Sequence, residues 1–106
     1  MKSLGTLKFG EVKIDILSNS EAMTLAELTF PIDVAAAAHH HKNEEVNYIL
    51  KGVFESSLNG KSKILNPGDV IHVASNNEHN LKNIGGVEGK ILTVWTPSRK
   101  DLIDKL

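Results

Sequence analysis

Asn59-Gly60 lies between two short runs, residues 53–58 and 61–65, and it constrains the fold more than any other feature of the chain. A two-residue connection between antiparallel strands needs positive φ at both of its residues, which asparagine followed by glycine adopts at low cost. The flanking runs therefore pair as a hairpin. The same grammar recurs along the sequence. Residues 12–17 and 23–30 alternate apolar and polar side chains, the second run ending at Pro31, and residues 46–50 form a compact apolar-rich run closed by Gly52. Pro67-Gly68-Asp69 turns the chain into residues 70–73, while Ser75-Asn76-Asn77 and Gly85-Gly86 bound the runs 80–83 and 90–96. Short strands at this spacing predict an all-β chain closed into a sandwich or barrel. One helix is expected, in the tail 98–106, where Ser98 and Asp101 have the spacing of a capping box ahead of Leu102, Ile103 and Leu106.

A chain of 106 residues forms one domain with room for a buried core. The face of residues 46–50 that carries Val46, Tyr48 and Leu50 needs cover from another sheet or another subunit, so a homodimer is expected. Lys and Arg total 12 against 13 Asp and Glu, with no basic stripe, which argues against nucleic acid as a partner. Without cysteine there are no disulfides, thiolate nucleophiles or thiolate metal sites, and nitrogen and oxygen are the only metal donors left. The opening MKSLGTLKFGEVKIDIL has no continuous apolar stretch, so neither a leader peptide nor a membrane span is expected, and the expected location is cytoplasmic.

Chemistry concentrates in His39-His40-His41-Lys42-Asn43-Glu44-Glu45 and in a lone His79. Alternate residues of an extended chain point the same way, so His39 and His41 share a face, and His40 turns to solvent. A helix over 35–45 would instead align His41 with Glu45 and leave His39 on another face. Only the extended reading lets His39, His41 and Glu45 converge, with His79 joining them if the chain folds back. His72, between Ile71 and Val73, reads as a structural histidine.

These residues resemble the cupins. In that family a first motif runs from a glycine through His-x-His and Glu to a closing Gly, matched here by His39, His41, Glu45 and Gly52, with Asp33 where the opening glycine falls. A second motif, a Pro-Gly-Asp turn followed by His and Asn, is matched by Pro67-Gly68-Asp69, His79 and Asn83. The resemblance covers about residues 23–97. It implies a single cupin domain over 1–106, an antiparallel jelly-roll β-barrel with a short C-terminal helix, and His39, His41, Glu45 and His79 as ligands of one divalent metal. Three imidazoles and a carboxylate suit manganese, iron(II), cobalt, nickel or zinc.

Alternation places further residues around such a site. Asn47 follows Glu45 on the same face, Phe54 opens the inward face of the next strand, and Thr93 and Trp95 share a face of the last one. These four are the expected substrate-binding residues. Trp95-Thr96-Pro97-Ser98-Arg99 is similar to the tail of the small cupins of pectin and alginate breakdown, which open the rings of unsaturated monouronates. Thr93 stands where that tail has an acid, and a hydroxyl is a far poorer base than a carboxylate. Glu45 stands where those proteins often have glutamine. The resemblance implies a metal-dependent enzyme acting as a Lewis acid on a small hydroxylated or carbonyl acid, with Arg99 as the catalytic residue that pairs with the substrate carboxylate. The alternatives are an iron(II)-dependent dioxygenase and a non-catalytic binding or sensing module.

Overall fold

The computed structural model describes residues 3–106. Among these, the chain forms β1 (Gly5–Phe9), β2 (Val12–Asn19), β3 (Thr24–Phe30), β4 (Glu44–Lys51), β5 (Phe54–Leu58), β6 (Lys61–Leu65), β7 (Val70–Val73), β8 (His79–Asn83), β9 (Gly89–Thr96) and α1 (Lys100–Ile103). All pairings between strands are antiparallel. A six-stranded sheet runs β1-β2-β3-β9-β4-β7 and a three-stranded sheet runs β6-β5-β8. The segment between β3 and β4 lies along β8 through bridges at Ala35–Lys82 and His39–His79, which widens the smaller sheet. No described helix is long and apolar enough to cross a membrane.

One apolar cluster lies between the sheets, with Ile14, Ile16, Ile49 and Ile91 from the larger meeting Phe54, Leu65 and Leu81 from the smaller. Burying each of these side chains contributes about 1.5–3 kcal/mol. Phe30 and Phe54 cross the gap edge to face, 5.1 Å between ring centres, an arrangement the ring quadrupoles favour. Alternation decides which residues enter the interior: along β4, Glu45, Asn47 and Ile49 are buried, while Val46, Tyr48 and Leu50 face outward and are exposed.

The turns follow their chemistry. Asn59 and Gly60 have φ of 50° and 81°, as the two-residue hairpin between β5 and β6 requires. Asp33, where a glycine was expected from the family pattern, takes the left-handed conformation itself at φ 62°. Asn83 clamps the neighbouring loops: its Nδ2 donates to the carbonyls of Phe30, Pro31 and Val87, and its Oδ1 accepts from the Gly85 amide.

Two expectations need correction. The strand β1 was not foreseen; it pairs with β2 from Gly5 to Phe9 and brings Phe9 to the barrel rim. The tail helix is a single turn over Lys100–Ile103 rather than 98–106, and Ser98 does not cap it. Its N-cap is Arg99, without a side-chain cap bond, and the Ser98 hydroxyl donates to Asn19 Oδ1 at 2.7 Å instead. A competing partner at the end of β2 has taken the hydroxyl that a capping box would use.

Candidate metal centre

Backbone pairing brings the histidines together from distant parts of the chain. His39 and His79 exchange backbone hydrogen bonds, His39 N–H to His79 O at 3.1 Å and the reverse at 2.9 Å. Directly opposed residues project to the same side, and the two rings lie 4.3 Å apart. His41 follows two residues after His39, its ring centre 5.0 Å from that of His79. Glu45 enters from β4 in the facing sheet. One ligand atom from each of His39, His41, Glu45 and His79 lies within 4.8 Å of the others.

The backbone partners of the rings fix which atoms are free to ligate. Nδ1 of His39, His41 and His79 lies 2.8, 2.9 and 2.8 Å from the backbone oxygens of Ala37, Asn43 and Asn77. A carbonyl only accepts, so each Nδ1 carries a proton and donates it, and each neutral ring presents its Nε2 lone pair to the centre. Nε2 of His41 and His79 then stand 3.1 and 3.5 Å from the same oxygen, Glu45 Oε1. Lone pairs facing a carboxylate repel unless a cation separates them, either protons on the rings or a metal ion. Donors about 2.1 Å from one ion are about 3.0–3.5 Å from each other, which these separations match. Among the described residues, His79 Nε2 is the buried side-chain polar atom that no hydrogen bond satisfies. The donor set therefore fits a divalent transition metal.

The carboxylate is held from three sides. Trp95 Nε1 donates to Oε1 at 2.6 Å, Asn47 Nδ2 donates to Oε2 at 2.7 Å, and the Asn47 carbonyl accepts from the Thr93 hydroxyl at 2.7 Å. These contacts follow from register, since β4 and β9 set Glu45 opposite Trp95 and Asn47 opposite Thr93. Burial opposes ionisation of Glu45, but the imidazoles of His41 and His79 and the amide of Asn47 outweigh it and hold the carboxyl well below its usual range. Burial also lowers His39, reinforced by the neighbouring His79 and His41. At His79 burial is overcome by Glu45, which raises its pKa.

A cleft open to solvent lies over this cluster. Asn47, Trp95 and Arg99 line it. The Arg99 guanidinium lies over the Trp95 ring, 4.9 Å from its centre, and is forked to Asp101 through Nε and Nη2, each at 3.0 Å. Arg99 is thereby fixed at the rim, and the hydrogen bonds with Arg99 depress the Asp101 carboxyl.

The family model described as the cupin domain matches residues 27–95. The chain is a cupin. An uncharacterized protein of Methanocaldococcus jannaschii is 34% identical over 75 residues, a stretch that covers 70% of this chain and 60% of that protein. The chain thus spans about 60% of the length of this curated relative. KdgF from Halomonas sp. superposes with a TM-score of 0.85 at 18% identity, over 92% of this chain and 90% of that one. An RmlC-like cupin from Shewanella frigidimarina gives 0.84 at 21% identity, over 92% and 87%. At these identities the two structures share the jelly-roll fold with this cupin.

Not every residue expected at the cavity reaches it. Phe54 is fully buried against Phe30 in the core and does not line the cleft, because the inward face of β5 at that point meets β3 rather than the open end. Thr93 is likewise fully buried behind Asn47 and reaches the site only through it. His40 is exposed, and His72 pairs with Glu44 at 2.9 Å, both of them half-exposed. Phe9 was missed: its ring packs edge-on against His39, 5.3 Å between centres, at the mouth of the cleft. Its signal was the alternation ahead of Gly10, too short and too interrupted by lysine to stand out.

Proposed function

We propose that this cupin is a metal-dependent enzyme acting on a small acid that carries a hydroxyl or carbonyl oxygen beside its carboxylate. The observation that carries this reading is the arrangement of three Nε2 lone pairs and one carboxylate on the floor of an open cleft, with a fixed guanidinium at its rim. When bound at His39, His41, Glu45 and His79, a divalent ion supplies Lewis acidity towards substrate oxygens. The backbone carbonyls of Ala37, Asn43 and Asn77 keep the rings in the ligating tautomer, so little reorganisation accompanies binding. Asn47 and Trp95 keep the carboxylate ionised and aimed. Asp101 and Trp95 orient Arg99, whose Nη1 remains for a substrate carboxylate.

The tail Trp95-Thr96-Pro97-Ser98-Arg99 supports a narrower candidate, ring-opening of unsaturated monouronates. Incubation of metal-loaded protein with unsaturated galacturonate, followed by NMR, tests it: conversion to the linear keto-acid upholds it, and a rate equal to the uncatalysed one defeats it. A second reading has its own support. The titratable side chains lining the cleft are His39, Glu45, His79 and Arg99, three ligands and one permanent cation. No separate protein base is among them, which favours an oxygen-dependent reaction needing only iron(II) and substrate. Oxygen uptake dependent on reduced iron distinguishes that reading from redox-neutral turnover with nickel or zinc.

A further inference from the structure

The walls of the cleft have a character that an acid-binding site alone does not require. Beside the histidine-glutamate cluster, its walls are formed by Val12 and Ile14 of β2, Leu28 and Phe30 of β3 and Leu81 of β8. Leu102 adds to the apolar wall from the tail helix, and the exposed Phe9 stands at the mouth. Apart from the metal-binding cluster, the polar lining residues are Asn47, Asn80 and Arg99. Asn47 is engaged by Glu45 and Thr93, and Asp101 takes two of the three nitrogens of Arg99. One guanidinium edge and one amide thus remain to meet whatever enters. The hydroxyl groups of a polyol body would leave water and find few partners, and each buried hydroxyl left unpaired weakens binding. An apolar body loses nothing in the same place.

We propose that the substrate of this site is a 2-hydroxy or 2-oxo acid with an apolar body, branched aliphatic or aromatic, rather than a polyhydroxylated acid. The inference rests on the reading that the histidine-glutamate cluster and Arg99 take an oxygen-bearing head, and it adds what the rest of the molecule must be. The head meets the cluster and the guanidinium edge; the body lies on Ile14, Leu28 and Leu81.

Trp95 is the only tryptophan of the chain and lines the cleft, so its fluorescence reports occupancy without turnover. Zinc-loaded protein is titrated with 2-hydroxy-4-methylpentanoate and with gluconate, two acids that share the 2-hydroxy head and differ in the body. The first is expected to bind at least tenfold more tightly, in line with what a few methylene groups are worth in an apolar pocket. Leu28→Asn should remove most of that preference with zinc content unchanged; Phe9→Ser, at the exposed rim, reports the same preference if the core variant does not fold. Gluconate binding as tightly as the branched acid, or no saturable change with either, overturns the proposal. Tight binding of the branched acid that is indifferent to zinc removal upholds the apolar body and defeats the reading of the head, so the two failures are told apart.

Discussion

Asn47→Leu tests whether the glutamate ligand is held by its surroundings rather than by the ion alone. Asn47 is 1% exposed and spans two partners at 2.7 Å each, donating to Glu45 Oε2 and accepting from the Thr93 hydroxyl. Leucine keeps the number and branching of the side-chain heavy atoms, so no cavity is left and the loss is polar, with some crowding added by the bulkier methyl groups. A hydrogen bond to a charged group contributes about 1.5–3 kcal/mol and a neutral one about 1 kcal/mol, and both former partners stay buried without replacement. The metal-free variant should lose about 3 kcal/mol, read as a lower urea midpoint at unchanged slope. Once freed on one side, the carboxylate samples orientations that do not ligate, and loss of such a partner weakens metal affinity about 10- to 100-fold. Chelator competition with zinc measures this. Thr93→Val removes only the far end of the relay and should cost about 1 kcal/mol, with a smaller change in affinity. An Asn47→Leu protein that binds zinc within twofold of the parent refutes the reasoning.

Other consequences are equally direct. Asn83 satisfies three carbonyls and one amide from a fully buried position, so Asn83→Ala should cost about 3 kcal/mol in urea unfolding, and a loss below about 1 kcal/mol contradicts the clamp. The Glu45 carboxyl lies below its ordinary value of 4.5 in the folded protein. A depressed folded pKa contributes stability that is complete above the unfolded value and is lost as pH falls through the folded one. Metal-free protein should therefore weaken progressively below about pH 4.5, and Glu45→Gln should flatten that limb of the profile; an unaltered limb in the variant removes the assignment. Val46, Tyr48 and Leu50 remain more than a third exposed on the outer face of β4, and Tyr48 lies opposite the exposed Val70 on the edge strand β7. We propose that a second copy covers this face: sedimentation should show a dimer, Tyr48→Lys should shift it towards monomer, and a monomeric parent at micromolar concentration refutes it.

Much of the architecture was legible because alternation is a local property. The run 46–50 places Glu45, Asn47 and Ile49 inward without knowledge of any partner strand, and Asn59-Gly60 carries the conformation of its own turn. The histidine-glutamate cluster was legible for the same reason, extended by the family's spacing to His79. What the sequence hid depends on pairing between distant segments. The relay from Thr93 through Asn47 to Glu45, and the Trp95 bond to that carboxylate, exist because β9 pairs with β4 in one register, and one step of slippage would turn Trp95 and Thr93 away. Ser98 misled because the capping spacing describes what its hydroxyl could do locally, while Asn19, 79 residues earlier, supplies a better partner. Phe54 misled because alternation tells inward from outward but not which end of the interior a residue faces.

The central claim is that His39, His41, Glu45 and His79 donate to one cation. Elemental analysis after loading with zinc and removal of excess tests it in one step, applied to the parent, His41→Ala and His79→Ala, with circular dichroism to establish that each is folded. The account predicts one metal ion per parent chain and almost none in either folded variant. Full occupancy retained in both variants would contradict it.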